Sequence, residues 1–208
     1  MPDRPVITIV DYGVGNIASL VNMFEHIDAD TRLCGDPDGV ERAHRLMLPG
    51  VGSFAHAMQV LRSKGLDTAI QTAVRNGAQV LGVCLGMQLL ARHSEEGDAE
   101  GLGLIAADVR RMIPSDPGTK IPNMGWREVV PTKPCWLIRQ STPPERFYFA
   151  HSYHMVCDDP ADVAATIEYD GQKTVAIARE CVFGAQFHPE KSHRFGMRLL
   201  ADFAGLGA

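Results

Sequence analysis

One cysteine in this sequence has the surroundings of a nucleophile. Cys84 lies in the stretch VLGVCLGMQLL, where an apolar run meets a glycine and a helix-forming run follows. The pattern GVCLG, from Gly82 to Gly86, matches the G-x-nucleophile-x-G elbow, in which a sharp strand-to-helix turn presents the middle side chain at the carboxyl edge of a parallel sheet. Helix N–H groups and the positive end of the helix dipole favour a thiolate there, and the thiolate is the nucleophile. Because most free cysteines are only small core residues, this stretch alone leaves both a nucleophile and a core cysteine open.

A base and an orienting carboxylate for such a nucleophile follow one another in AQFHPEKS. His188 precedes Pro189, and the residue before a proline is held in an extended conformation. In an extended segment residues two apart point to the same side, so Glu190 can lie alongside the His188 ring and accept its N–H. A carboxylate in that position fixes the tautomer of the ring and stabilises the imidazolium. The H-P-E motif therefore predicts the acid/base half of a cysteine–histidine–glutamate triad.

Acyl chemistry through cysteine also needs N–H donors for the oxygen of a tetrahedral intermediate. The N–H of Leu85, directly after the cysteine, is one candidate. The motif PGVG, residues 49–52, is a glycine-rich turn at the end of another strand, and Val51 or Gly52 can present a second N–H there. A simple strand-ending turn is the alternative interpretation of this motif.

A different motif suggests nucleotide binding. The turn GVGNIA, from Gly13 to Ala18, fits the dinucleotide fingerprint G-x-G-x-x-A between a strand and a helix. That fingerprint also requires an acidic residue at the end of a strand about 20 positions further on. The stretch ADTRLCGDPDG offers only loop-like aspartates, Asp30, Asp36 and Asp38. A nucleotide site would also leave Cys84 and the H-P-E motif unexplained.

The paired histidines of HSYH suggest a metal site. His151 and His154 lie in the strand-like stretch FYFAHSYHMV. Residues three apart in a strand point to opposite faces, so these two rings would not converge on one ion. We therefore predict no metal site.

The first half of the chain alternates between strands and helices. Strand, turn and helix follow one another in residues 6–20 and again in residues 78–94, and a short buried strand ends in a Pro-Gly turn within residues 45–54. Residues 57–77 carry helical spacing up to Gly77. This alternation predicts an α/β fold with a mostly parallel central sheet flanked by helices.

The second half of the chain predicts additional antiparallel strands. After about residue 100 the strand-like segments are closely spaced, and residues 193–206 predict a closing helix. Residues 114–125, rich in proline and glycine, predict a surface loop. The strand-like segments are DVRRM, RFYFAHSYHMV, VAATIEYD, TVAIARE and CVFGAQF.

Length, charge and cysteine usage narrow the class of protein. The chain of 208 residues suits a single domain, residues 1–208, and its net charge of −5 argues against non-specific nucleic-acid binding. No apolar run approaches the roughly 20 residues of a spanning helix, and the first residues lack a signal-peptide layout, so we expect no membrane association. The five cysteines are odd in number and show no C-x-x-C spacing, which predicts a reducing, cytoplasmic location.

Three separated motifs resemble one family. PGVGSF, GVCLGMQLL and GAQFHPEKS are similar to the signature blocks of class I, or triad-type, glutamine amidotransferases. Within that family DYGVGN, PNMGW, FAHSY and EYDG resemble the glutaminase subunits of imidazole glycerol phosphate synthases. The resemblance runs from residue 6 to about residue 204 and implies a flavodoxin-like three-layer α/β fold.

The resemblance also implies a reaction and a partner. Such a subunit hydrolyses L-glutamine to glutamate and ammonia, without a metal or organic cofactor. It docks on a (β/α)₈-barrel cyclase subunit as a heterodimer. The cyclase uses the ammonia to make imidazole glycerol phosphate and an aminoimidazole carboxamide ribotide in histidine biosynthesis.

Site residues carry over by position. The resemblance implies Cys84 as nucleophile, His188 as acid/base and Glu190 as its orienter. It places Val51, Gly52 and Leu85 in the oxyanion region, and it places the glutamine contacts at Gly50, Gly52, Gln88, Glu96 and Ser152. The residues implied to face the cyclase are Asn16, Pro122, Met124, Trp126 and Lys191, with ordinary core packing as the alternative for Met124 and Trp126. Two positions depart from the family pattern: Arg127 stands where asparagine is usual and His154 where tyrosine is usual.

Three rival interpretations remain open at this point. A paralogous glutaminase would feed another amidation, such as one in a surface-sugar pathway. A nucleotide-binding module would use the GVGNIA turn. A stand-alone cysteine hydrolase or peptidase would use the same elbow on other substrates.

Overall fold

The computed structural model describes residues 6–207. Along this part of the chain strands and helices alternate first, and strands then predominate. The strands are β1 (Ile7–Val10), β2 (Thr31–Cys34), β3 (Arg45–Leu48), β4 (Gln79–Val83), β5 (Ala91–Ser94), β6 (Ala99–Glu100), β7 (Ile105–Arg111), β8 (Asn123–Glu128), β9 (Val130–Pro131), β10 (Arg146–His151), β11 (Tyr153–Cys157), β12 (Val163–Glu168), β13 (Gln172–Arg179) and β14 (Val182–Ala185). The helices are α1 (Ile17–His26), α2 (Pro37–Glu41), α3 (Phe54–Ser63), α4 (Leu66–Arg75), α5 (Leu85–Leu89) and α6 (His193–Ala204), with short 3₁₀ turns at Pro160–Asp162 and Pro189–Lys191.

One large sheet forms the centre of the protein. Its first five strands, in the order β2-β1-β3-β4-β14, pair in parallel. The order continues β13-β11-β7-β5-β6, where the pairs are antiparallel except for β5 with β7. Strands β12 and β9 extend it alongside β13, and β8 pairs with β10 in a separate antiparallel ribbon. The expected α/β fold with a parallel sheet and added antiparallel strands is confirmed.

The parallel strands are buried on both faces, which explains their short, almost wholly apolar sequences. On one face Val10, Leu48 and Val80 pack with residues of α3 and α4. On the other face Ile9 and Leu81 pack with residues of α1 and α6. Helices therefore cover both faces of this half of the sheet, giving three layers.

Some expected boundaries were wrong. The helical segment 57–77 contains two helices, because Gly65 adopts φ 68° after the end of α3 and starts α4. The helix after the cysteine ends at Leu89, and residues 91–94 form β5, since they pair with both β6 and β7.

Two further boundaries differ in the second half. The segment FYFAHSYHMV is divided at Ser152, so that His151 ends β10 in the ribbon and His154 lies in β11 of the large sheet. The expected surface loop is shorter than residues 114–125, because β8 already begins at Asn123. In both cases pairing with a distant strand decides the boundary.

None of the helices within residues 6–207 is long and apolar enough to cross a membrane. Nor does that part of the chain bring together three or more histidine, cysteine, aspartate or glutamate side chains in an arrangement that could hold a metal ion.

Candidate active site

The elbow at Cys84 is a strained strand-to-helix turn. Strand β4 ends at Val83, helix α5 begins at Leu85, and Cys84 between them adopts φ 56° and ψ −113°. A positive φ is rare for a residue with a Cβ and persists only where the surrounding structure enforces it. Here the Cys84 N–H donates to the Ala185 carbonyl at 2.7 Å, which ties the elbow to the end of the neighbouring strand β14.

The glycines on either side of the cysteine are required by backbone contact. A Cβ on Gly86 would lie 1.8 Å from the Leu48 carbonyl oxygen, and one on Gly82 would lie 2.5 Å from the Gly86 carbonyl oxygen. A Cβ on Gly50 would lie 2.8 Å from the Gly86 nitrogen. The turn that follows β3 therefore packs directly on the elbow, and only glycine permits this approach.

His188 and Glu190 reach the cysteine from the strand beside it. Strand β14 pairs with β4 in parallel and ends at Ala185, so the segment that follows lies at the same edge of the sheet as the elbow. The His188 Nδ1 lies 2.8 Å from the Glu190 Oε1, and both side chains are buried. The expected contact between His188 and Glu190 is present, but the expected extended conformation is wrong beyond His188, because Pro189–Lys191 form a 3₁₀ turn that brings the carboxylate to the ring.

The charge state of His188 suits a base paired with a thiolate. Burial lowers the pKa of the imidazole, but hydrogen bonds to the Cys84 and Glu190 side chains outweigh burial and raise this pKa from 6.5 to about 9. Since Nδ1 faces Glu190, the other ring nitrogen, Nε2, makes the hydrogen bond to Cys84. An imidazolium beside the sulfur stabilises a thiolate.

A cavity of about 370 Å³ opens over these residues. It is lined by Val51, Gly52, Cys84, Leu85, Gln88, Glu96, Pro122, Met124, Ala150, His151, Ser152, Tyr153, His188 and Lys191. The structure thus brings most of the expected site residues to one place, while Gly50 and Glu190 lie behind the lining, and Asn16 and Trp126 lie outside it.

The family model of the class I glutamine amidotransferases matches residues 8–205. The chain belongs to this family. It is 44% identical over 202 residues to imidazole glycerol phosphate synthase subunit HisH 2 of Pseudomonas aeruginosa, which covers 97% of this chain and 100% of the relative. It is 42% identical to subunit HisH of Geobacillus kaustophilus, over 97% of each chain. The structure of PurLQS from Thermotoga maritima shares the fold with a TM-score of 0.75, at 18% identity, over 98% of this chain and 99% of that one.

In this class I glutamine amidotransferase a second buried glutamine connects the pocket to the nucleophile. The Gln88 Nε2 donates to the Gln186 Oε1 at 2.8 Å and to the Tyr153 carbonyl at 3.3 Å. The Gln186 Nε2 lies 3.9 Å from the Cys84 sulfur. Gln186 is not among the residues predicted from the sequence, although a polar residue within the apolar run CVFGAQF is a usable signal.

His151 contributes to the pocket wall as a neutral ring. Its Nδ1 lies 2.7 Å from the Tyr153 carbonyl, which only accepts, so Nδ1 carries the proton and Nε2 accepts from the Asn123 amide at 2.9 Å. Burial lowers the pKa of His151 to about 4, which keeps the ring neutral. His151 therefore holds the Tyr153 carbonyl that Gln88 also contacts.

Glu96 and Ser152 both line the cavity, and each lies close to the end of a strand. The Glu96 Oε2 accepts from the Phe54 N–H, at the first residue of α3, at 2.9 Å. The Ser152 carbonyl accepts from the Met112 N–H at 2.9 Å, which fixes the connection between β10 and β11.

Three of the residues expected to face a partner, Pro122, Met124 and Lys191, line the cavity. Met124 is 58% exposed, and Pro122 and Lys191 are also exposed. Trp126 is half-buried and stacks on the His193 ring, with centroids 5.4 Å apart.

Two other positions of this surface have defined contacts. Asn16 is exposed and its Oδ1 accepts from the Ser19 hydroxyl at 3.0 Å. Arg127 donates to the Asn123 Oδ1 at 3.1 Å and lies over the Tyr169 ring at 4.8 Å. Arg127, which departs from the family pattern, therefore stabilises strand β8 through Asn123, the residue that also hydrogen-bonds to His151.

Proposed function

We propose that this chain is the glutaminase subunit of an imidazole glycerol phosphate synthase. It hydrolyses L-glutamine to glutamate and ammonia, and a cyclase subunit uses the ammonia to make imidazole glycerol phosphate and an aminoimidazole carboxamide ribotide in histidine biosynthesis. The observation that carries the proposal is the buried Cys84–His188–Glu190 arrangement at the base of a cavity of about 370 Å³. The 44% identity to a HisH subunit over almost the whole chain supports this choice of acceptor pathway.

The geometry supports a two-step hydrolysis through a thioester. The Cys84 thiolate attacks the carboxamide carbon of glutamine, the C–N bond breaks, and the His188 imidazolium gives its proton to the departing nitrogen. Ammonia then leaves a γ-glutamyl thioester on Cys84. Water gives a proton to His188 and attacks the thioester, the C–S bond breaks, and glutamate leaves with the thiolate restored.

The surrounding groups serve binding and charge stabilisation. The Leu85 N–H, at the first turn of α5, has no partner within the helix and can face the developing oxyanion. The turn containing Val51 and Gly52 supplies the second N–H donor. Gln88 and Glu96 line the cavity and offer the amide and carboxylate groups that recognise the polar ends of the substrate.

The exposed residues at the cavity mouth are the proposed docking surface for the cyclase, a (β/α)₈ barrel. Pro122, Met124 and Lys191 belong both to the cavity lining and to the exposed surface. A partner that covers them closes the cavity towards solvent, so that ammonia passes to the partner rather than to water.

Replacing Cys84 by serine tests the proposal, because it separates ammonia release from ammonia use. Serine is far less acidic than a thiol, so we expect glutamine-dependent formation of imidazole glycerol phosphate by the complex to fall by at least about 10³-fold. Synthesis from ammonium salt, at a pH that supplies free ammonia, should stay near the wild-type rate because that chemistry occurs on the cyclase. Product is measured with each nitrogen source.

Two other outcomes would show which part of the proposal is wrong. Undiminished glutamine-dependent synthesis would mean that the nucleophile is wrong. Glutaminase activity of the wild type without any synthesis by the complex would refute the histidine pathway and favour a paralogous acceptor.

A further inference from the structure

Tyr12 joins two strand ends beneath the candidate active site. It lies two residues after β1, is 1% exposed, and donates its hydroxyl to the Pro49 carbonyl at 2.7 Å. Pro49 is itself buried, and it follows β3, the next strand in the sheet. The hydrogen bond therefore ties the end of β1 to the first residue of the PGVG turn, 37 positions away.

The start of the turn is held from several sides. A Cβ on Gly50 would lie 3.0 Å from the Tyr12 hydroxyl and 2.8 Å from the Gly86 nitrogen, so Gly50 is enclosed between the tyrosine and the elbow. Gly15, with φ 129°, approaches from the GVGNIA turn, where a Cβ would lie 3.2 Å from the Pro49 side chain. The close packing of Gly15 against Pro49 gives this glycine of the GVGNIA turn a structural role other than nucleotide binding.

The middle of the turn has no comparable support. Val51 is 43% exposed, and Gly52, with φ 96°, has open space where a Cβ would stand. The peptide groups of Val51 and Gly52 therefore lie between two anchored ends, Pro49 and Gly50 on one side and the Phe54 N–H, which donates to Glu96, on the other. These peptide groups are the ones that must present the second N–H to the oxyanion.

The tyrosine hydroxyl is well suited to hold a carbonyl. Burial, with a further contribution from Cys84, raises the pKa of Tyr12 well above its usual range. The hydroxyl therefore keeps its proton at any pH at which the triad functions and remains a donor to Pro49. A phenol in this place adds no charge next to the thiolate.

We propose that Tyr12 is a positioning residue for the oxyanion turn: its hydrogen bond to the Pro49 carbonyl orients the following peptides so that the N–H of Val51 or Gly52 meets the oxygen of the tetrahedral intermediate. Tyr12 itself does not contact the substrate. The inference rests on the proposed glutaminase activity.

The variant Tyr12→Phe tests it, because it removes the hydroxyl and keeps the ring that fills the core. In the full chain with saturating cyclase we expect kcat for glutamine hydrolysis to fall by about tenfold or more, with KM within about twofold, since the loss concerns the transition state. Glutamate γ-semialdehyde, which forms a hemithioacetal with Cys84, should bind more weakly by a similar factor. The rate of Cys84 alkylation by iodoacetamide, which builds no oxyanion, should stay within about twofold of wild type.

Tyr169→Phe is the matched control. It removes a tyrosine hydroxyl that donates to the Lys120 carbonyl at 2.5 Å, outside the cavity lining. We expect its kcat and its affinity for the semialdehyde to equal those of wild type. All variants are assayed at a temperature at which circular dichroism shows them folded.

Two results would overturn the inference. One is an unchanged kcat and semialdehyde affinity in Tyr12→Phe. The other is an equal loss of kcat and alkylation rate, which would indicate general distortion of the elbow rather than a misplaced N–H donor. A wild-type chain that does not hydrolyse glutamine would instead refute the proposed function itself.

Discussion

Cys84 and His188 form a pair whose charges depend on each other. The hydrogen bonds that the His188 ring makes to the Cys84 and Glu190 side chains, acting against burial, keep the His188 pKa at about 9, so the ring is an imidazolium at neutral pH. A positive ring next to the sulfur favours the thiolate form that attacks a carboxamide.

Replacing Glu190 by glutamine should weaken this pair without removing the nucleophile. The amide keeps a hydrogen-bonding oxygen near the His188 Nδ1 but no longer offers a negative charge. We expect kcat for glutamine to fall by up to about 10⁴-fold, and by less than in Cys84→Ala, which loses the covalent route entirely. Steady-state glutaminase assays of both variants with the cyclase provide the comparison, and equal activity of Glu190→Gln and wild type would exclude a role for the carboxylate.

The same variant should change how stability depends on pH. The His188 pKa is raised from 6.5 to about 9 in the folded state, so protonation of this ring stabilises the fold fully below about pH 6.5, and the contribution is lost as the pH rises towards 9. Because Glu190 is one cause of the raised pKa, wild type should lose more free energy of unfolding between pH 6.5 and 9 than Glu190→Gln does. Urea unfolding at a series of pH values measures both slopes, and parallel slopes would contradict the assigned cause.

The residues of the proposed triad could be selected from the sequence because each carries a local signal. Cys84 lies in an elbow pattern, and the H-P-E motif places a carboxylate next to His188, although the structure makes this contact through a 3₁₀ turn and not through an extended segment. Tyr12 and Gln186 were not predictable, since their roles depend on contacts with Pro49 and Cys84 that are distant in sequence. The partner of a buried polar group can be identified only when the order of the strands in the sheet is known.

At the scale of elements, three neighbouring parallel strands each end in a segment of the site. Strand β3 leads to the PGVG turn, β4 to the elbow, and β14 to the H-P-E segment. Because β3, β4 and β14 are adjacent and parallel, their carboxyl ends meet at one edge of the sheet. The closeness of these ends explains why the elbow tolerates only glycine where backbones touch.

Gly86→Ala tests this packing at the level of the fold. A Cβ at this position would lie 1.8 Å from the Leu48 carbonyl oxygen, so backbone has to move. We expect the free energy of unfolding to fall by about 3 kcal/mol or more. Gly118→Ala is the control, because its Cβ would approach only the carboxylate of the Asp116 side chain, at 3.4 Å, and no backbone atom.

Chemical denaturation of the two glycine variants gives the answer. The control should stay within about 0.5 kcal/mol of wild type. If Gly86→Ala were as stable as the control, close contact between the elbow and β3 would not constrain this position.

The errors in the expected elements have one physical cause. Residues 91–94 continue a run of good helix formers, yet they form β5, and the strand-like run through Ser152 divides between two sheets. Local propensity predicted neither result, because the pairing partners are β6, β7 and β8, which lie elsewhere in the chain. The parallel half of the sheet was predictable because the alternation of apolar strands and helices can be recognised in the local sequence.

At the scale of the whole molecule, the cavity lies between two structural units. The parallel half of the large sheet supplies the proposed nucleophile, its proposed base and the PGVG turn. The ribbon of β8 and β10, with the connection to β11, supplies Met124, His151 and Ser152 on the opposite side of the cavity. A partner that binds the exposed side of β8 therefore contacts a wall of the cavity as well as its rim.

Met124 lets this arrangement be tested, because it is a large apolar side chain that is 58% exposed and also lines the cavity. A carboxylate placed there would have to be desolvated beneath the cyclase, so Met124→Asp should weaken the complex by at least about tenfold. Leu33→Asp is the control: Leu33 is 51% exposed on the edge strand β2 and lies outside the cavity lining, so its affinity should stay within about twofold of wild type. Isothermal titration calorimetry with the purified cyclase, after urea unfolding has shown that both variants are folded, measures the difference. Equal dissociation constants for the two variants would place the cyclase on another face of the protein, and the cavity mouth would then have to remain open to solvent during ammonia transfer.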